Sequence, residues 1–198
     1  MNQKNKRRLL LAGGTAAAAA LALSGCTTTG PSSGETAAGT ADRDRAIDAA
    51  VDATLQRLYV SVNGSRELVN KARGVLVFPR VIAAGFWLGA QYGEGALRVD
   101  GRTDGYYSTA GGSFGLQIGA QSKALIYVFL TDDALAQFRK RDGWAVGTDA
   151  TVAVARLGAN GQLDTTTATN PVEVFVLTNA GLMAGVSLEG TKVSRLSP

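Results

Sequence analysis

The sequence predicts an α+β fold, a curved antiparallel β-barrel or sandwich covered by two or three helices. Three observations carry this. Helical spacing of apolar residues is confined to residues 42–72 and 132–141, while the rest of the chain beyond residue 74 falls into short alternating or apolar runs. Turn pairs such as Asp100-Gly101 and Asn179-Ala180-Gly181 separate those runs as in antiparallel hairpins. Several of the 25 glycines lie inside strand-like stretches, which suits strong curvature.

The chain opens with Lys4, Lys6, Arg7 and Arg8 before an apolar run from Leu9 to Leu23, and then Ser24-Gly25-Cys26. Residues 1–25 are read as a signal peptide, similar to those with a lipoprotein-type cleavage box in which Cys26 becomes the acylated first residue. The apolar run is too short and alanine-rich for a good membrane-spanning helix. Cys26 is the single cysteine, so an intrachain disulfide is ruled out; the alternative role for it is a buried structural thiol. Acylation would anchor the chain, each buried methylene contributing about 0.8 kcal/mol. Thr27 rather than Asp follows the cysteine, which resembles outer-membrane lipoproteins of Gram-negative bacteria and implies a protein facing the periplasm. The pair Arg7-Arg8 leaves a twin-arginine export route open. Residues 26–41, rich in Thr, Ser, Gly and Ala, form a flexible tether to a domain over 42–198.

The formal net charge of +4 belongs to the leader. Four of the 20 basic residues lie there, which leaves 16 basic against 16 acidic residues in the mature chain. Without a global basic field, nucleic acid is not an expected partner.

From Asp42 to Val62 the residues Ile47, Val51, Leu55, Leu58 and Val62 form one apolar helical face opposite Asp44, Asp48, Asp52 and Gln56. Asn63-Gly64 ends this helix, and Ser65 is placed to cap a short second one through Ala72. Val75-Leu76-Val77-Phe78 reads as a short strand stopped by Pro79. A second segment runs from Ala83 to Val99, with Gly93-Glu94-Gly95 as its weak point, and turns at Asp100-Gly101 and Asp104-Gly105 follow. Ser113 to Gln121 alternates, with Phe114, Leu116, Ile118 and Ala120 on one face and only glycine, serine and amides on the other; it reads as one half-buried strand that another backbone or a ligand approaches closely. Ala124 to Leu130 is apolar on both faces, hence a central buried strand. Thr131 caps a helix from Asp132 to about Arg141, with acids first, Arg139, Lys140 and Arg141 last, and Gly143 beyond. Strands are then expected at residues 150–157, 162–167, 172–178, 182–188 and 192–196, with a turn at Gly158-Ala159-Asn160-Gly161.

With no histidine, the Ser-His-Asp and Cys-His triads and the His-Glu-x-x-His zinc site are excluded. No phosphate-loop motif occurs, and neither a metal site nor a cofactor is expected. A carboxylate pair or a Ser-Lys arrangement is the chemistry that survives. Asp132 and Asp133 already serve as helix-start acids, and Glu94 is either a turn residue or part of a cleft near Tyr106 and Tyr107. No catalytic residue is assigned.

Tyr106-Tyr107-Ser108-Thr109-Ala110-Gly111-Gly112-Ser113-Phe114-Gly115-Leu116-Gln117-Ile118-Gly119-Ala120-Gln121-Ser122 resembles the signature of the SYLF domain family. Lys71-Ala72-Arg73-Gly74-Val75-Leu76-Val77-Phe78-Pro79, Tyr92-Gly93-Glu94-Gly95, Gly143-Trp144-Ala145-Val146-Gly147 and Ser187-Leu188-Glu189-Gly190-Thr191 fit the same pattern in order, over about residues 45–196. The resemblance, to the bacterial lipoprotein branch, implies a phospholipid-binding module without catalytic activity. An anionic phospholipid or membrane surface is then the expected partner; the alternative is an envelope scaffold lipoprotein that binds a protein. The cations available for lipid are Lys71, Arg73 and Arg80, then Arg139, Lys140 and Arg141, with Arg98, Arg102 and Lys123 scattered between. Three or four on one face, at about 1 kcal/mol each, give salt-sensitive binding. Phe86, Trp87 and Trp144 are read as core residues or as side chains inserted at the membrane interface.

Overall fold

A computed structural model describes residues 37–85, 88–114, 119–157, 163, 170–183, 188 and 190–197. The chain divides into two units, Met1–Thr36 and Ala37–Pro198, of which the second is described. Cys26, Phe86, Trp87 and the turn at 158–161 lie outside the described residues.

Helix α1, Ala37–Ser61, starts upstream of Asp42 because alanine, the best helix former, continues the helix backwards. It buries Ile47, Val51, Thr54 and Leu58 along one stripe. Gly64, at φ 85°, takes the left-handed turn that follows. Helix α2, Ser65–Lys71, has Gly64 as its N-cap residue and no side-chain cap. Ser65 is therefore not the cap: its buried hydroxyl turns back and donates to the Val62 carbonyl at 2.6 Å, tying α2 to the end of α1.

Strand β1, Gly74–Gly85, continues through Pro79. The proline sits in a β-bulge: pairing with β2, Leu88–Val99, jumps from Val77↔Ala96 to Arg80↔Glu94, and pairing with β4, Gly119–Phe129, jumps from Phe78↔Leu125 to Val81↔Lys123. A bulge leaves one residue unpaired, so the missing N–H costs no ladder bond. β2 likewise runs unbroken through Gly93-Glu94-Gly95. A Cβ on Gly95 would stand 2.0 Å from the Val77 carbonyl oxygen, and one on Gly93 2.5 Å from that of Arg80. Close backbone approach is found on β2, where the bulge presses β1 against it; Gly115, Leu116, Gln117 and Ile118 of the stretch where it is expected lie outside the described residues.

Asp100 (φ 50°) and Gly101 (φ 76°) make the two-residue turn into β3, Arg102–Phe114. Asp104-Gly105 is not a turn; it lies inside β3 at a second register shift, between Leu97↔Gly105 and Arg98↔Thr103. The single strand read over Ser113–Gln121 is divided between the end of β3 and the start of β4, which have β2 and β1 between them in the sheet. Helix α3, Asp132–Lys140, follows as expected, with the Thr131 side chain accepting from the Ala134 N–H at 3.2 Å.

Among the described residues the remaining strands are β5 (Trp144–Ala145), β6 (Ala153–Val154), β7 (Val172–Thr178), β8 (Gly181–Leu182) and β9 (Lys192–Arg195). The order is β5-β9-β3-β2-β1-β4-β7-β6, with β8 hairpinned onto β7, and the sheet curls into a half-barrel. It is mixed rather than wholly antiparallel, because β6 pairs parallel to β7.

Each face carries a buried cluster. One carries Val75, Val77, Ala96, Ala124, Ile126, Val128, Phe175 and Leu177 against Ile47, Val51, Leu58, Val62 and Leu68 of the α1–α2 segment. The inner face carries Leu76, Phe78, Leu97, Tyr107, Leu125, Tyr127 and Phe129 against Leu135 and Phe138 of α3 and Trp144. This explains why β4 is apolar on both sides.

Candidate functional site: a basic edge around β9

The expected lipid-binding cations do not share one surface. Arg98 is held inward: its guanidinium bonds to Asp52 at 2.8 Å, lies 3.3 Å from Asp48 and reaches Thr103. Asp48 also accepts from Thr103 at 2.8 Å and from Tyr106 at 3.0 Å, so Arg98 belongs to the polar seam joining α1 to β2 and β3. Burial first, then this bond and the nearby Asp48 and Asp44 charges, push the Tyr106 phenol up to about 12. Lys123 points to the inner face, half-buried, and burial lowers its ammonium below the usual lysine range. Arg73 approaches Asp132 at 3.5 Å at the start of α3. Arg80 is exposed past the bulge, roughly 20 Å further along β1. Lys71 is exposed at the end of α2.

Glu94 is a strand residue of β2 that accepts from the Tyr92 hydroxyl at 2.8 Å. In register with Ala96, it faces the α1 side, whereas α3 with Asp132 and Asp133 packs on the inner side. These three carboxylates therefore form no pair across a cleft. Tyr106 and Tyr107 also face opposite ways: Tyr107 is buried against Phe138, ring centroids 5.0 Å apart. Trp144 is 1% exposed, in contact with Tyr127, Phe129 and Phe138, and is a core residue.

The end of α3 is where cations gather. Arg139 makes a two-point contact with Asp104, at 2.6 and 3.1 Å, and Arg141 pairs with Asp149. Lys140 is exposed beside them. β9 pairs with β3 through Tyr107↔Arg195 and with β5 through Ala145↔Lys192, which carries two further cations to the same edge. Arg195 donates to the Asp104 carbonyl at 3.3 Å and its guanidinium carbon lies 5.9 Å from the Tyr107 ring centre. Asp104 is thus shared between Arg139 and Arg195. Between the end of α3 and β9 opens a cleft of 440 Å³ lined by Asp142, Gly143, Lys192, Ser194, Arg195, Leu196 and Ser197.

Lys192 and Arg195 were not singled out from sequence. Each is an isolated cation in a short strand, and only the pairing of β9 with β3 and β5 sets them beside α3. Among the described residues, no helix is long and apolar enough to cross a membrane.

The end of α3 and β9 thus bring Arg139, Lys140, Arg141, Lys192 and Arg195 to one edge of the curled sheet. A family model described as "Ysc84: Las17-binding protein actin regulator" matches residues 110–197, a stretch that includes the whole lining of the cleft. The SH3 domain-containing YSC84-like protein 1 of Homo sapiens is 32% identical over 130 residues, covering 63% of this chain and 37% of that protein. The Mus musculus protein of the same name is 32% identical with 63% and 38% covered, and the Xenopus laevis one 31% identical over 129 residues. The chain thus spans well under half the length of these relatives. Residues 110–197 of this chain match the Ysc84, or SYLF, domain family.

Proposed function

We propose that this protein is a phospholipid-binding lipoprotein, acylated at Cys26, anchored in the outer membrane and facing the periplasm. The observation that supports lipid binding is the gathering of Arg139, Lys140, Arg141, Lys192 and Arg195 at one edge of the half-barrel. Two of these cations are partly neutralised by Asp104 and Asp149, while Lys140 and Lys192 have no ion pair among the described residues. About 1 kcal/mol per cation near an anionic surface gives binding that is weak at each residue and useful in sum. For a domain already tethered by lipid, that suffices to dock it on the bilayer. Lys71, Arg73 and Arg80 lie apart from this edge and add a second contact only if the domain rolls on the surface.

A chain beginning at Ala37 tests this by sedimentation with vesicles. It is expected to bind vesicles containing phosphatidylglycerol, to release them as salt rises, and to ignore phosphatidylcholine vesicles. Equal absence from both at low salt overturns the reading.

A protein partner is the second reading, favoured by the family description as a Las17-binding actin regulator. The exposed cross-strand pair Ile82 and Tyr92, on the sheet face turned toward α1, offers an apolar contact for it. Stoichiometric capture of one envelope protein, lost in Tyr92→Asp while vesicle binding persists, distinguishes this reading from the first.

A further inference from the structure

We propose that the cleft between the end of α3 and β9 is a binding site for a phosphodiester group. The inference rests on the phospholipid reading for its source, a glycerophospholipid headgroup, and a soluble phosphodiester presents the same chemistry. Three features carry it. The lining side chains hold two positive charges, Lys192 and Arg195, and one negative, Asp142. The balance of one positive charge matches the single negative charge of a diester, where a monoester dianion would be left in excess.

Arg195 is held in place before any ligand arrives, and Lys192 lies beside it along Gly143. Arg195 spends one N–H on the Asp104 carbonyl and rests against Tyr107, which leaves the rest of its donor fork for a ligand. Gly105 makes room for it: a Cβ there would stand 3.0 Å from the Arg195 Nη2. The Lys192 stem crosses Gly143 so closely that a Cβ would fall 2.4 Å from its Cε, and Gly143 is also left-handed at φ 85°. A side chain at position 143 would therefore meet the Lys192 stem. Finally, Ser194 and Ser197 add hydroxyl donors suited to the two non-bridging oxygens, and 440 Å³ is the size of a small-ligand site. Asp142 is placed to accept from a hydroxyl or amine on the far side of the phosphate.

The test uses the full chain held in non-ionic detergent micelles, so that the leader is treated alike throughout. Soluble glycerophosphoglycerol is titrated by calorimetry into wild type, Lys192→Gln and Asp142→Asn, and the same proteins are titrated with micelles doped with phosphatidylglycerol. Loss of one charged hydrogen bond is expected to weaken diester binding by about tenfold in Lys192→Gln. Asp142→Asn is expected to tighten inorganic phosphate relative to the diester, because it removes the charge that disfavours a dianion. Diester affinity that is the same in all three proteins, or absent in wild type, overturns the proposal. Binding of doped micelles that ignores Lys192→Gln overturns the cleft and leaves the phospholipid reading standing. Diester binding without any response to doped micelles does the reverse.

Discussion

The face of the sheet under α1 and the face under α3 are made by the same strands, yet they are closed in different ways. Under α3 the contact is aromatic: Tyr107, Phe129, Phe138, Trp144 and Tyr127 meet at centroid distances of 5.0 to 6.2 Å, mostly edge to face. Under α1 the packing is mostly aliphatic, from Ile47, Val51, Leu58, Ile126 and Val128 with Phe175 among them, and position is fixed at one margin by Asp48 with Arg98, Thr103 and Tyr106. The short α3 has two buried anchors, Leu135 and Phe138, and needs large rings to hold it. The long α1 spreads its contacts and uses hydrogen bonds to set its register.

The contrast is sharpest at Trp144. Trp144→Ala is expected to cost about 3–5 kcal/mol in urea unfolding, because the cavity opens among rings that cannot follow it inward. A loss below about 1 kcal/mol would show that the inner face is loosely packed. Gly95→Ala should come next, at about 1–3 kcal/mol, since the new methyl meets the backbone of Val77 and not a movable side chain. On the α1 side, Asp48→Ala strips acceptors from Tyr106 and Thr103 at a seam that is part exposed. Its expected cost is about 1–2 kcal/mol, and a double-mutant cycle with Tyr106→Phe should reveal coupling.

The smallest effect is set by pH and involves both faces. Burial, the first cause in each case, raises the phenols of Tyr59, Tyr92, Tyr106, Tyr107 and Tyr127 above their ordinary value of 10.0, with Tyr92 and Tyr106 reaching about 12. A folded value above the unfolded one means that this stabilisation is complete below pH 10 and is lost as pH rises toward 12. Unfolding midpoints measured across that window should fall. Tyr106→Phe should remove part of the fall.

Much of this was legible in the sequence. The strand Ala124–Leu130 and the capped helix after Thr131 follow from burial and dipole rules that need only local residues. Pro79 and Asp104-Gly105 misled for one reason: breakers mark a turn in isolation but a bulge when neighbours pair on both sides, and pairing is not local. The same limit hid the site. Lys192 and Arg195 acquire a meaning only when β9 is laid against β3 and β5.

The sheet order also predicts a sequence of assembly. β1, β2 and β3 form a meander through nearby turns, whereas β4 must travel past two strands to reach the free side of β1. Until it arrives, Leu76, Val77 and Phe78 present an unpaired apolar margin that can template aggregation. Newly made chains are therefore expected to aggregate most readily before Phe129 is in place, and a chaperone that shields β1 should raise their yield more than one acting on the finished domain.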